Sequence, residues 1–210
     1  MANNDQEIEV KFFLRDLSAL EKRLKALNAR IVAERVHEVN LRFDTPDNSL
    51  QQARQVLRLR HDFNNVVTFK GPARGQGDAM TRQEIEFRVS NFVAARRVFE
   101  ALGYEVRVMY EKYRTTYQLE NVLVTLDEMP YGSFAEIEGT GSGSEEVVVA
   151  EIRAAAAALG LDWEARITAS YIALFDRLRL RRGLNVKNLS FPEFKEIKVT
   201  EQDLELRYAD

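Results

Sequence analysis

Acidic and basic residues recur at every second position in one segment after another of this chain, and that pattern limits the fold more than composition does. Glu7, Glu9 and Lys11 alternate with Ile8, Val10 and Phe12. Comparable alternation returns at Arg58 and Arg60, at Arg82, Glu84, Glu86 and Arg88, at Lys112 and Arg114, and at Glu136 and Glu138, while Lys70 ends another strand-like segment. A period of two is that of a β-strand, whose side chains point to opposite faces in turn. Taken singly, each segment reads as a strand with one face in water. Taken together they suggest something else, because the chain also carries helices enough to cover an apolar outer wall.

Helices are expected over 16–27, 91–102, 144–159 and 167–182. In the first, Leu17, Leu20, Leu24 and Leu27 form one stripe. Asn91 before the second, and Ser142 with Glu145 or Ser144 directly before the third, have the chemistry of N-caps. Strands are expected over 7–14, 30–45, 55–61, 65–70, 80–89, 104–119, 122–129 and 133–138, mostly meandering. The fold predicted is α+β, a closed eight-stranded antiparallel β-barrel with helices packed outside. Residues 1–182 would form this domain, and 183–210 a C-terminal extension packing on it.

If helices cover the outside, the charged faces point into the lumen. Buried charge without a partner is strongly disfavoured, so a lumen of mixed charge calls for a ligand. A polyanion bound with a metal cation answers both signs. Carboxylates take hard cations such as Mg²⁺ or Mn²⁺, and Lys and Arg take phosphate oxygens. The formal net charge of −3 gives no global pull toward nucleic acid or anionic membrane, so any anion site is built locally.

The absence of cysteine excludes disulfides, thiolate metal sites and cysteine nucleophiles, and fits a reducing compartment. The polar start does not read as a signal peptide, and no apolar run reaches bilayer-spanning length, so a cytoplasmic location is expected. His37 and His61 read as strand-surface residues, Trp163 as helix packing, and Tyr104, Tyr110, Tyr113 and Tyr117 mostly as wall packing. Residues 71–78 lack the Walker arrangement of a phosphate loop but have the composition of a lid.

The same residues carry a family resemblance. Glu7-x-Glu9-x-Lys11 is similar to the signature of the CYTH superfamily, the triphosphate tunnel metalloenzymes, which include class IV adenylyl cyclases, thiamine triphosphatases and inorganic triphosphatases. The likeness continues in order through Leu41-Arg42-Phe43-Asp44-Thr45-Pro46, Leu57-Arg58-Leu59-Arg60 and Thr68-Phe69-Lys70-Gly71-Pro72. Arg82-Gln83-Glu84-Ile85-Glu86, Glu111-Lys112-Tyr113-Arg114, Leu126-Asp127-Glu128 and the run from Gly132 through Glu138 to Gly139 follow, with Ser170-Tyr171 resembling the closing helix.

The resemblance implies that Glu7, Glu9, Glu136 and Glu138 hold divalent metal, with Asp127 and Glu84 or Glu86 as further ligands or supporting partners. It implies that Lys11, Arg58, Arg60, Lys70, Arg82, Lys112 and Arg114 grip phosphates, and that Glu7, Glu9 and Lys11 are central to catalysis. One metal would sit on Glu9, Glu136 and Glu138 and a second near Glu7. One departure stands out: thiamine triphosphatases of the mammalian type have a tyrosine in the segment matching 41–44, and here that segment has no phenol.

The function expected is metal-dependent hydrolysis of inorganic, nucleoside or other organic triphosphates. The alternatives are a class IV adenylyl cyclase, making cyclic AMP and pyrophosphate from ATP, and a non-catalytic polyphosphate or nucleotide binder. The partners expected are a triphosphate-containing small molecule and, for self-association, a homodimer. Neither a nucleic-acid polymer nor a membrane is expected.

Overall fold

A computed structural model describes residues 6–72, 80–141 and 143–210. The alternating segments form β1 (Gln6–Leu14), β2 (Arg30–Asp44), β3 (Val56–His61), β4 (Asn65–Lys70), β5 (Met80–Val89), β6 (Glu105–Leu119), β7 (Val122–Met129) and β8 (Gly132–Gly139), with a two-residue β9 (Arg166–Ile167). Helices are α1 (Leu17–Ala26), α2 (Ser49–Gln52), α3 (Phe92–Ala101), α4 (Glu145–Ala158), α5 (Tyr171–Arg182), α6 (Phe191–Phe194) and α7 (Glu201–Leu204).

The caps explain where the helices begin. Asp16 accepts hydrogen bonds from the amides of Ser18 and Ala19, Asn91 from that of Ala94, and Ser170 from that of Ala173. Ser144 stands at the N-cap of α4; the other cap candidate, Ser142, lies outside the described residues. The last long helix starts later than the sequence suggests. Ile167 pairs with Lys11 and Arg166 with Phe12 as β9, so the helix waits for the Ser170 cap.

Eight strands close into an antiparallel ring in the order β1-β8-β7-β6-β2-β3-β4-β5, with β5 returning to pair with β1. The expected eight-stranded closed topology is present, with helices outside it. The outward residues of β1 (Ile8, Val10, Phe12 and Leu14) pack with Val124 and Ile137 beneath α1 and α4, among Leu20, Leu24, Val148 and Ile152. Each such fully buried side chain contributes about 1.5–3 kcal/mol. Gly139 permits the close approach of α4, because a Cβ there would lie 2.1 Å from Val148 Cγ1. On another part of the ring, Phe92 and Phe99 of α3 cover Leu41, Phe43 and Leu59.

A third cluster includes Phe13, Phe134 and Met129, which share the inward parity of the charged residues on their strands, and packs them against Tyr171, Leu174, Phe175 and Leu178 of α5. Leu189, Phe194 and Leu204, from 183–210, complete it. Leu189 also adds to the edge of β6: its amide donates to Met109 O at 2.9 Å, and its carbonyl accepts from the Glu111 amide at 3.0 Å. At the chain end the Ala209 amide donates to Phe13 O, and the Asp210 carboxylate accepts from the amides of Arg15 and Asp16.

Among the described residues no helix is long and apolar enough to cross a membrane. Of the lid candidate 71–78, residues 73–78 lie outside the described residues.

Candidate active site

Strand parity delivers the charged residues to one place. A cavity of about 200 Å³ inside the ring is lined by eight Lys or Arg and six Glu. The glutamates are Glu7, Glu9, Glu84, Glu86, Glu136 and Glu138; the cations are Lys11, Arg42, Arg58, Arg60, Lys70, Arg82, Lys112 and Arg114. All the residues that the sequence nominates for phosphate or metal are therefore gathered on its wall, except Asp127.

Cross-strand register decides which of these charges are already satisfied. Lys11 stands directly opposite Glu136 and pairs with it at 2.6 Å. Glu7 stands opposite Arg82, which it meets at 3.1 Å, and both its oxygens lie 2.6 Å from Lys70 Nζ. Lys70 stands opposite Glu84 (3.1 Å), and Lys112 opposite Glu38 (3.7 Å). Arg114, opposite Asp127, also bonds Glu136. Opposite charges in such positions support the sheet, and like charges oppose it.

One acidic pair breaks the rule. Glu9 stands directly opposite Glu138. The closest cation to Glu9 is Arg82, at 3.6 Å, and among the described residues Glu138 has no ion pair. The electrostatics follow. Burial, then Glu7 and Glu9, push the Glu138 carboxyl up to about 7. Burial and the charge of Glu136 raise Glu9 as well, against the opposing pull of Lys11. Glu7 goes the other way: burial would raise it, but Lys70 and Arg82 outweigh burial and hold it at about 2. Glu136 likewise lies well below the usual carboxylate range, burial being outweighed by Lys11 and Arg114. Glu84 is raised to about 8 by burial, opposed by Lys70 and reinforced by Glu7.

Asp127, expected as a further ligand or a supporting partner, has the position of a supporting partner. It is fully buried and absent from the cavity wall, and its oxygens accept from Lys112, Arg114 and the Tyr171 hydroxyl. It acts as a fixed counter-ion that holds two cations, Lys112 and Arg114. Glu9, Glu136 and Glu138 share the cavity wall, but Glu136 is paired with Lys11 and Arg114. Among the described residues no three Asp, Glu, His or Cys side chains form a ready-made metal cage.

Three residues were missed. Glu38, 2 % exposed, faces Lys112 and Arg60, and these cations with Arg114 hold it at about 2 against the burial that would raise it. Arg42 and Tyr110, the latter read as wall packing, both line the cavity. The signal was available: Glu38 and Arg42 share parity on β2, and Tyr110 shares it with Lys112 and Arg114 on β6. His37, His61 and Trp163 stand where expected, outside the cavity wall; His37 meets Glu111, His61 meets Asn65, and Trp163 packs near Phe12.

The CYTH domain model matches residues 5–171, and the chain belongs to the CYTH domain family. A Methanocaldococcus jannaschii protein, named provisionally as an adenylate cyclase, is 27% identical over 172 residues, covering 80% of this chain and 97% of its own. A solved Vibrio parahaemolyticus structure aligns with a TM-score of 0.74 at 22% identity, covering 83% of this chain and 99% of its own. A Hippeastrum protein, described as having a dominant triphosphatase activity, aligns with a TM-score of 0.60 at 20% identity, covering 81% and 95%. These last two likenesses show the shared fold.

Proposed function

We propose that this protein is a divalent-metal-dependent triphosphatase, hydrolysing inorganic tripolyphosphate or the terminal phosphate of an organic triphosphate. The observation that carries the reading is the lumen: eight cations and six carboxylates converge on one small cavity, and two of the acids face each other almost unpartnered. The fold shared with the Hippeastrum protein, and that protein's described triphosphatase activity, support it.

The donor set fits a hard cation, and Glu9 and Glu138 would hold it. They are oxygen ligands whose mutual repulsion a divalent charge relieves, and a site of two carboxylates completed by water and phosphate oxygens suits Mg²⁺ or Mn²⁺. When bound, the ion supplies Lewis-acid polarisation of a phosphoryl oxygen. Glu7 and Glu136 serve instead to hold Lys70, Arg82, Lys11 and Arg114 in place. Those cations, with Lys112, Arg58 and Arg60, bind the phosphates, orient them for in-line attack and stabilise charge on the leaving group. Lys11 and Lys112 are steadied from behind by the Tyr171 ring, 4.5 and 5.3 Å from its centroid.

Cavity size favours phosphate recognition over recognition of a whole nucleotide. About 200 Å³ lies below the roughly 300–1,000 Å³ of ordinary ligand pockets. Apolar surface on its wall comes from few residues: Val56, Ile172, Tyr110 and Tyr171. The Methanocaldococcus relative's name makes ATP cyclisation the second reading.

A product assay decides. Incubation with tripolyphosphate, ATP and thiamine triphosphate, with Mg²⁺ or Mn²⁺, is expected to release orthophosphate only when metal is present. Cyclic AMP with pyrophosphate would replace this reading by the cyclase. Tight binding without any product would leave a binder.

A further inference from the structure

The register holds a second mismatch, basic where the first is acidic. Arg42 on β2 stands directly opposite Arg58 on β3. Like charges in such positions weaken a sheet unless something neutral or opposite in sign lies between them. Arg58 is compensated by Glu86 at 3.2 Å and by the Thr68 hydroxyl at 3.0 Å. Arg42 is not. Every other cavity cation has a carboxylate within ion-pair distance, whereas Arg42 has none among the described residues. Asp176 of α5 exerts a weak field on it and lies nearer to Arg179, at 3.9 Å. Burial and the charges of Arg58 and Arg82 make Arg42 less basic than a free guanidinium.

The surroundings give this cation a direction. Tyr110, 7 % exposed, brings its phenol to the same cavity, where Arg42, Arg58 and Lys112 all act on it. Its strand is fixed on both edges, by β2 at Asn40 and by Leu189 from the C-terminal residues. The β2–β6 ladder shifts register between Arg42 and Phe43, an irregularity of the kind that re-aims a side chain beside a site. In the ring, β2 lies diametrically opposite β1, which carries Glu9.

We infer that Arg42, with Arg58 and the Tyr110 hydroxyl, forms an anion subsite for a phosphoryl group on the wall opposite Glu9 and Glu138. It rests on the reading that the cavity binds polyphosphate, and it adds a discriminating role. The other cations must loosen carboxylates they already hold, whereas Arg42 has none to release among the described residues. A chain of three phosphates, held at the acidic wall, gains from a cation on the far wall, and a chain of two gains less.

The test pairs affinity with stability in Arg42→Met and Arg42→Lys. Titration calorimetry with inorganic tripolyphosphate and with pyrophosphate, with Ca²⁺ in place of Mg²⁺ or Mn²⁺ to neutralise the acidic wall, is expected to show Arg42→Met weakening tripolyphosphate roughly ten- to a hundredfold and pyrophosphate less. Arg42→Lys should retain most of the affinity. Because Arg42 is repelled by its neighbours, Arg42→Met should also melt at a higher temperature than wild type, the reverse of what loss of a structural residue does. Unchanged tripolyphosphate affinity in Arg42→Met, or a fall in melting temperature alongside weaker binding, would overturn the subsite while leaving the cavity's function standing. Failure of the wild type itself to bind either anion would instead remove the polyphosphate reading, and the subsite with it.

Discussion

The lumen has two levels built on the same strand faces. On β1 the inward residues run Glu7, Glu9, Lys11 and then Phe13; on β8 they run Glu138, Glu136 and then Phe134. The charged level contains like-charge neighbours and carboxylates far from their ordinary protonation behaviour. The aromatic level contains close ring contacts, with Phe13 and Phe134 centroids 5.0 Å apart and Phe134 edge-on to Tyr171 at 5.1 Å. One level concentrates acids and bases on a cavity wall, and the other supplies cohesion from α5 and residues 183–210. The difference teaches that stability and function are separated along the ring axis, so substitutions at the two levels should leave opposite signatures.

The largest effect tests the charged level. The double variant Glu9→Gln, Glu138→Gln should lower metal-dependent triphosphate turnover by roughly a thousandfold or more, since Lewis-acid stabilisation is worth several kcal/mol. Its melting temperature should hold or rise, because an unfavourable pair has been neutralised. Retained turnover would remove the metal assignment, and a large loss of stability would show that these acids hold the ring together. At the aromatic level the signature inverts. Phe194 is 4 % exposed, with Phe175 at 5.9 Å and Tyr131 at 6.4 Å. Phe194→Ala should cost about 3–5 kcal/mol, lowering the melting point by roughly 10 °C, while kcat and KM below the transition stay within about twofold. A collapse of kcat in the folded variant would mean that the two levels are not separable.

How much of this could be read from the chain follows from what a period of two encodes. Parity states which face a residue occupies, so the inward sets Glu7, Glu9, Lys11 and Lys112, Arg114 and the ring itself were legible. Parity says nothing about which residue stands opposite. The distinction between Glu136, locked by Lys11, and Glu138, left facing Glu9, exists only in the β1–β8 register. Parity likewise could not choose between the two roles open to Asp127: Arg114 opposite it and the Tyr171 hydroxyl both bond its oxygens. Arg42 and Glu38 were legible but went unread, since β2 carries no dense run of charge to draw notice. The C-terminal residues were opaque because their role is to fill a shape, which Leu189, Phe194 and Leu204 do without any motif.

The smallest predicted effect concerns protons, and its sign follows from the acidic pair. The Glu138 carboxyl titrates at about 7 in the folded protein against an ordinary 4.5. Between those values the folded state keeps a proton that the unfolded chain has released, so the stabilisation is full below about pH 4.5 and is lost as pH rises through 7. Glu84, raised to about 8, acts with the same sign and extends the window upward. Glu7, held at about 2, acts with the opposite sign, but only as pH falls below the ordinary carboxylate range. Metal-free protein should therefore lose stability from pH 5 to pH 8, with Glu138 contributing on the order of 2 kcal/mol. Calorimetric melting of Glu138→Gln should show a shallower decline, with the remainder belonging to the other raised carboxyls, Glu9 and Glu84 among them. Mg²⁺ should oppose the decline, since it binds the deprotonated acids and its stabilisation grows with pH. A metal-free melting temperature that climbs with pH over this range, or a slope unaltered in Glu138→Gln, would show that the acidic pair is not the charge-strained element separating this level of the lumen from the aromatic one.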